Sequence, residues 1–411
     1  MPCKNRLNLI LKNKTDQMKK INLAATLLLF VGSVSYAQSP KKPMAQLIND
    51  EFKFAASQYQ VLAKNIPAGK TPQSFDKGKS INYDIKWWCS GFYSGSLWYI
   101  YEQTKNEQVK NEAEAALKVL EPNQTFTGNH DLGFMMYCSF GNGYRITKNP
   151  AYKEIIQRSA QSLSTRFRPK IQVIQSWDKN KYWECPVIID NMMNLEMLNW
   201  ASDNGGNPKY KEIAITHANT TIKNHFRPDF SSYHVVDYNP QTGDVLKKAT
   251  WQGAANCSAW SRGQGWALYG YTMMYRFTKD QNYLKQAKGI ANYILNHPNL
   301  PADKIPYWDF DAPLIPYAKR DASAGAIIAS ALLELGQYTD GKEKADFKSA
   351  AETMIYSLAS DTYRAKAGEN GGFLLMHSTG AFPLNSEIDV PLVYADYYYL
   401  EALARYKKWY L

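Results

Sequence analysis

Apolar residues along this chain recur at the three-to-four-residue spacing of amphipathic helices, and the spacing predicts twelve helical segments. They lie near residues 43–64, 91–103, 106–120, 131–146, 150–165, 189–202, 207–225, 260–277, 280–296, 321–337, 342–359 and 391–408. Short polar turns recur between them: TKNEQ, TKNPAY, DNGGNPKY, TKDQNY and TDGKEK. Each turn leads into a helix with one apolar and one charged face, as at Tyr152-Lys153-Glu154 and Tyr210-Lys211-Glu212, the pattern of a surface helix. The segments beginning near 91, 131, 189, 260, 321 and 391 are rich in Gly, Ala, Met and aromatics and poor in charge. Six inner and six outer helices in diverged hairpins predict an all-α (α/α)6 toroid, a six-hairpin barrel in one domain. The same hairpins in an open α-solenoid would leave no closed centre.

Composition narrows the class. Of 411 residues 45% are hydrophobic, enough for a sizeable core, which excludes a disordered tail, a collagen-like fibre and a disulfide-rich miniprotein. The net charge of +11 invites a nucleic-acid partner until the N-terminus is read. Met18-Lys19-Lys20 opens a short basic region, Leu23 to Val34 is almost wholly apolar, and Ser35-Tyr36-Ala37 supplies small residues for cleavage. This is the layout of a secretory signal peptide, too short to span a bilayer of about 30 Å. Residues 1–37 therefore read as an export signal, with 1–17 an upstream extension before Met18, and 38–411 as the toroid. The expected location is the periplasm. The first 37 residues carry six basic side chains against Asp16, so the remainder stands at +6. Its adjacent basic residues are scattered pairs (Lys41-Lys42, Lys247-Lys248, Lys407-Lys408), not the stripe of a nucleic-acid binder. No later run is apolar enough for a membrane helix, and no Cys follows the apolar run to carry a lipid. Neither nucleic acid nor a membrane anchor is expected. Cys89, Cys138, Cys185 and Cys257 form no CxxC pair and no zinc spacing with His, and read as buried free thiols. No metal or organic cofactor is indicated.

The loops that precede the inner helices carry residues a core does not need. They include Lys86-Trp87-Trp88-Cys89, Asn129-His130-Asp131, Ile189-Asp190-Asn191, Trp260-Ser261-Arg262 and Arg320-Asp321. In a toroid these loops share one rim and converge on one site. An Asp before a helix is most often an N-cap, so each alone is weak evidence. There is no GxSxG and no Gly-rich phosphate loop. Carboxylates, Arg262, Arg320, Trp and Tyr together are the ingredients of a carbohydrate site. Asp131 and Asp190 are the best acid/base pair. Ile188, Ile189, Met192 and Met193 around Asp190 would raise its pKa, and the helix N-terminus would oppose that shift.

With these motifs in order, the chain resembles the unsaturated glucuronyl hydrolases, glycoside hydrolase family 88. The matching stretches are WWCSGFYSGSLW, HDLGFMMY, IDNMMNLEML, SAWSRGQGWALYG, YWDFDAP with RDASAGAIIASALLEL, and SEIDVPLVYADYYYLEAL, from Trp87 to Leu403. The resemblance implies an (α/α)6 barrel that removes 4,5-unsaturated glucuronic acid from the non-reducing end of lyase-generated glycosaminoglycan oligosaccharides. It gives Asp190 the acid/base role, makes Asp131 the assisting carboxylate, and places His130 and His234 in the substrate site. It makes Gln252 and Arg262 polar substrate contacts, Arg262 as a bidentate fork on the uronate, with Trp88, Trp177, Trp260 and Trp266 as stacking walls. Some family members hold a sulfate with a Ser-Ser-Lys cluster; Met376 to Phe382 has no Lys here, while His377 and Ser378 would line the neighbouring subsite. An unsaturated rhamnogalacturonyl hydrolase, a non-catalytic glycan-binding protein and a structural solenoid are the alternatives.

Overall fold

Helices stand at all twelve predicted positions within residues 41–411, the part of the chain described by this computed structural model. Residues 1–37, read above as an export signal, lie outside that part. The helices are α1 (Met44–Lys64), α2 (Phe92–Thr104), α3 (Glu107–Leu120), α4 (Asn142–Thr147), α5 (Pro150–Ser164), α6 (Asn191–Asp203), α7 (Lys209–His225), α8 (Ser261–Thr278), α9 (Gln281–Leu295), α10 (Ala322–Leu335), α11 (Gly341–Leu358) and α12 (Val393–Tyr410). α4 continues a π-helical run, Gly133–Gly141, where a single α-helix was expected.

The polar turns act as paired stop and start signals. In TKN and TKD the lysine ends an inner helix in the left-handed conformation (Lys105 φ 56°, Lys148 φ 59°, Lys279 φ 59°). The next residue caps the outer helix: Asn106, Asn149 and Asp280 accept from the N–H groups of Gln108, Ala151 and Asn282 at 2.8–3.1 Å. Each such cap contributes about 1 kcal/mol.

Packing closes the ring. α2 packs on the π run and on α12, α6 on the π run and α8, and α10 on α8 and α12. Every inner helix therefore has two inner neighbours, which an open solenoid would not give its ends. α3, α5, α7, α9 and α11 each lie against the inner helix preceding them, and α1 lies against α2 and α12. Where α2 meets the π run, a methyl at Gly91 would overlap the carbonyl oxygens of Phe134 and Met135. Only glycine allows that approach.

The all-α expectation needs correction, because the loops entering the inner helices carry four small antiparallel sheets. β1 (Lys70–Asp76) pairs with β2 (Lys79–Asp84), and β3 (Phe167–Arg168) with β4 (Val173–Ile174). β5 (Pro186–Ile188), β6 (Val235–Tyr238) and β7 (Val245–Ala249) form one sheet, and β8 (Ser378–Ala381) pairs with β9 (Ser386–Val390). Most of these strands are too short for a period-two pattern to register. The cysteines also differ in part from expectation: Cys89 and Cys185 are buried free thiols and Cys138 is a half-buried one, but Cys257 is exposed.

Candidate active site

The β5–β6–β7 sheet assembles the first half of the site. Ile188 pairs with Val235, and the Ile189 N–H donates to the His234 carbonyl at 3.0 Å, which sets His234 beside Asp190. β7 then leads to Trp251 and Gln252, whose backbone N–H groups donate to His234 Nδ1 at 3.1 and 3.2 Å. With Nδ1 accepting, a neutral imidazole carries its proton on Nε2. That Nε2 faces Asp190 Oδ2 at 3.7 Å. Burial, then the charge of Arg262, pushes the His234 pKa far down, so the ring is neutral. Asp190 precedes α6 with helical backbone angles and makes no cap bond, so the common structural role of such an Asp is absent. Burial raises its carboxyl to about 7, against the opposing pull of Arg262, its own backbone N–H and the Trp266 indole.

Asp131 opens the π run. Its side chain is 11% exposed and that of Asp190 12%, so both carboxyls reach the rim surface while most of each is dry. Burial raises Asp131 to about 8, and the neighbouring Asp190 charge adds to the shift. Two carboxyls raised in this way hold a proton between them near neutrality, so an acid and a base coexist. His130 Nε2 lies 3.3 Å from Asp131 Oδ1; burial lowers this histidine to about 3 and keeps it neutral.

The other expected residues divide. Trp177 is half-buried, edge-on to His234 with centroids 6.2 Å apart, and Trp260 is tilted over the same ring at 4.6 Å. Half-buried Gln252 donates to the Gly380 carbonyl at 3.3 Å, bridging the sheet to β8. Half-buried Trp88 packs on Tyr394 at 4.8 Å. Three assignments change. The Arg262 fork is already engaged, with Nη1 bonded to Asp321 Oδ2 (2.9 Å) and the Thr379 carbonyl (2.6 Å) and Nη2 to the Gly380 carbonyl (2.6 Å). At 1% exposure it offers no bidentate fork to a uronate, and it acts on Asp190 through its charge. Trp266 is fully buried against Phe134 and Tyr398, a core side chain and not an open wall. Ser378 is likewise fully buried at the start of β8, so its hydroxyl is not on the rim surface.

A model of Glycosyl Hydrolase Family 88 matches residues 63–409. The chain belongs to glycosyl hydrolase family 88. An unsaturated glucuronyl hydrolase of Formosa agariphila is 45% identical over 370 residues, covering 89% of this chain and 92% of that protein. An unsaturated chondroitin disaccharide hydrolase of Streptococcus agalactiae is 34% identical over 346 residues, 82% of this chain and 86% of the other. The crystal structure of an unsaturated glucuronyl hydrolase specific for heparin superposes with a TM-score of 0.86 at 46% identity, covering 88% of this chain and 97% of that one.

This family 88 chain also positions its carboxyls with residues the sequence reading passed over. Asn194 stands four residues after Asp190, on the same helix face; its Oδ1 accepts from the Phe134 N–H at 3.0 Å, and its amide favours the charged form of Asp131. That spacing was a usable signal. Arg166 is buried and donates to the carbonyls of Thr127, Gln175 and Ser176, tying the Asp131 loop to the Trp177 loop. No local pattern marks it. Lys319 reaches Asp389 at 2.6 Å, and Asp389 bonds His377 at 2.6 Å, so a lysine from a different loop stands beside the stretch that lacks one. Exposed Trp87 stacks on Tyr83 at 4.8 Å and exposed Phe382 on Trp308 at 4.6 Å, adding ring faces to the loops that enter the inner helices.

Proposed function

We propose that this chain removes 4,5-unsaturated glucuronic acid from the non-reducing end of glycosaminoglycan oligosaccharides generated by lyases. The observation that carries this reading is Asp190, an uncapped, buried carboxyl raised to about 7 beside a histidine whose Nε2–H faces it. The family, and the names of the relatives from Formosa agariphila and Streptococcus agalactiae, support the substrate class. In the proposed reaction the Asp190 carboxyl gives its proton to C4 of the C4=C5 enol ether, and positive charge develops at C5 and the ring oxygen. Water adds to C5 while its proton passes to the Asp190 carboxylate, which restores the acid. The C5 hemiketal opens to a ketone, and the hemiacetal left at C1 expels the next sugar with its hydroxyl intact. One water is consumed. Asp131, raised by burial and then by the adjacent charge of Asp190, assists by keeping a proton in the pair. Trp177 packs the sugar near His234, and Trp260, buried between His234 and Arg262, backs the histidine. The test is a panel of heparin-type, chondroitin-type and pectic lyase products followed by the ultraviolet absorbance of the conjugated double bond. Loss of absorbance on a glycosaminoglycan product is expected. Loss on pectic products alone would move the assignment to an unsaturated rhamnogalacturonyl hydrolase, and binding without turnover would leave a glycan-binding protein.

We further propose that the chain works after export, supported by the basic, apolar and small-residue order of Met18 to Ala37. N-terminal sequencing of the protein from its native cell is expected to begin after Ala37; retention of Met18 to Ala37 would overturn it.

A further inference from the structure

The inner helices run in one direction, so the mouth opposite Asp131 and Asp190 is built from their C-terminal ends. A cavity of about 720 Å³ opens there, within the size range of small-molecule and sugar sites. Its inner end reaches Phe134 and Met193, each three residues beyond a rim carboxyl, so the cavity lies beneath the catalytic layer and is distinct from it.

Six basic side chains line this cavity against three carboxylates. The arginines are all taken up by carboxylates. Arg145 grips Glu102 with both Nη atoms at 2.5 and 2.8 Å, Arg276 bonds Glu196 at 2.6 Å and faces Glu334 at 3.3 Å, and Arg405 lies 3.1 Å from Glu334 and 3.6 Å from Glu401. The surplus is three exposed lysines, Lys148, Lys407 and Lys408, which have no carboxylate partner among the described residues. A lysine at a helix C-terminus is ordinarily explained by the helix dipole. Dipole compensation requires neither a cavity nor aromatic walls. Here Lys148 lies over the Tyr144 ring at 5.5 Å and Lys408 over Trp409 at 5.9 Å, while half-buried Trp200 packs edge-on to Tyr144 at 5.4 Å. Ring faces for pyranoses beside unspent cations are the recognition chemistry of an acidic sugar.

We propose that the C-terminal mouth of the toroid is a second, non-catalytic binding site for an acidic oligosaccharide. Sugar faces pack on Trp200 and Tyr144, and carboxylate or sulfate groups meet Lys148 and Lys408. The inference does not rest on the activity proposed for the other rim. The probe is a heparin hexasaccharide with a saturated non-reducing end, which has no double bond to turn over, titrated calorimetrically into the full chain. Lys148→Glu with Lys408→Glu is expected to weaken binding at least tenfold and to leave kcat/KM on an unsaturated disaccharide within twofold. Trp177→Ala, at the catalytic rim, is expected to leave hexasaccharide binding unchanged. The proposal is overturned if the native chain does not bind, if the lysine variant binds as the native chain does, or if Trp177→Ala abolishes binding instead. Equal weakening by Lys342→Glu with Lys344→Glu on the outer helix α11 would also overturn it, because that result reads net charge and not a site.

Discussion

Asp190→Asn separates the cost of the acid from its use. Burial lifts the Asp190 carboxyl from its ordinary 3.8 to about 7. The folded state therefore keeps a proton that the unfolded chain has released, and stability falls as pH rises from about 4 to about 7, then levels. At about 1.4 kcal/mol per unit, the shift amounts to about 4 kcal/mol. Asparagine cannot ionise, so the variant escapes that loss. Removing the Asp190 charge also relieves Asp131, whose carboxyl it helps to hold up, which works in the same direction. For a unit spanning Met44–Leu411, an unfolding entropy of about 0.8 kcal/mol/K converts 4 kcal/mol into about 5 °C. Calorimetric melting at pH 4.5 and pH 8.5 is the assay. The variant should gain several degrees on the native chain between the two, while turnover falls by about a thousandfold. An unchanged gap in Tm across that range would refute the buried-acid account, whatever happened to activity.

Four further outcomes follow from the same geometry. Turnover of an unsaturated disaccharide should decline as pH rises through about 7, where Asp190 loses its proton; a rate still climbing at pH 9 would exclude it as the acid. Arg262→Ala leaves Asp321 and two carbonyls without their buried donor and should cost about 3–5 kcal/mol in a urea melt, and Arg262→Lys should recover little because one ammonium cannot reproduce the fork. Trp177→Ala should raise KM about fivefold with a smaller change in kcat, corresponding to about 1 kcal/mol of ring packing; equal loss in both would point to a misplaced His234. Asn149→Ala removes the α5 cap and should cost about 1 kcal/mol with kinetics unchanged, read from chemical denaturation.

The helical architecture was legible because two signals agreed: twelve apolar stripes, and TKN or TKD turns whose lysine and Asn or Asp carry the stop and the cap. Asp131 and Asp190 were legible from their place before inner helices; apolar neighbours marked Asp190 for a raised pKa, but that burial outweighs the helix N-terminus there, and that Asp131 is raised too, depends on the fold. What escaped notice depends on contacts distant in sequence. β5 and β6 are paired across a whole helical hairpin, and without that pairing nothing puts His234 against Asp190. The positive charge of Arg262 suggested a substrate contact, but its acceptors, Asp321 and the carbonyls of Thr379 and Gly380, come from two other loops. The π run was invisible because apolar spacing does not tell an i→i−5 ladder from an i→i−4 one over so short a stretch.

Ring closure also shapes how the chain is made. α2 rests on α12, and nearly the whole unit lies between them in sequence. A ribosome makes α12 after the other eleven helices, so one apolar flank of α2 stays uncovered until then, and the loop closed by that contact is among the costliest in entropy. Each hairpin can pair locally as it emerges, but the catalytic rim is complete only when both ends of the ring meet. A chain truncated before α12 would therefore lose the wall that Tyr394 gives Trp88 and would expose the α2 flank, a greater defect than the absence of one helix in six.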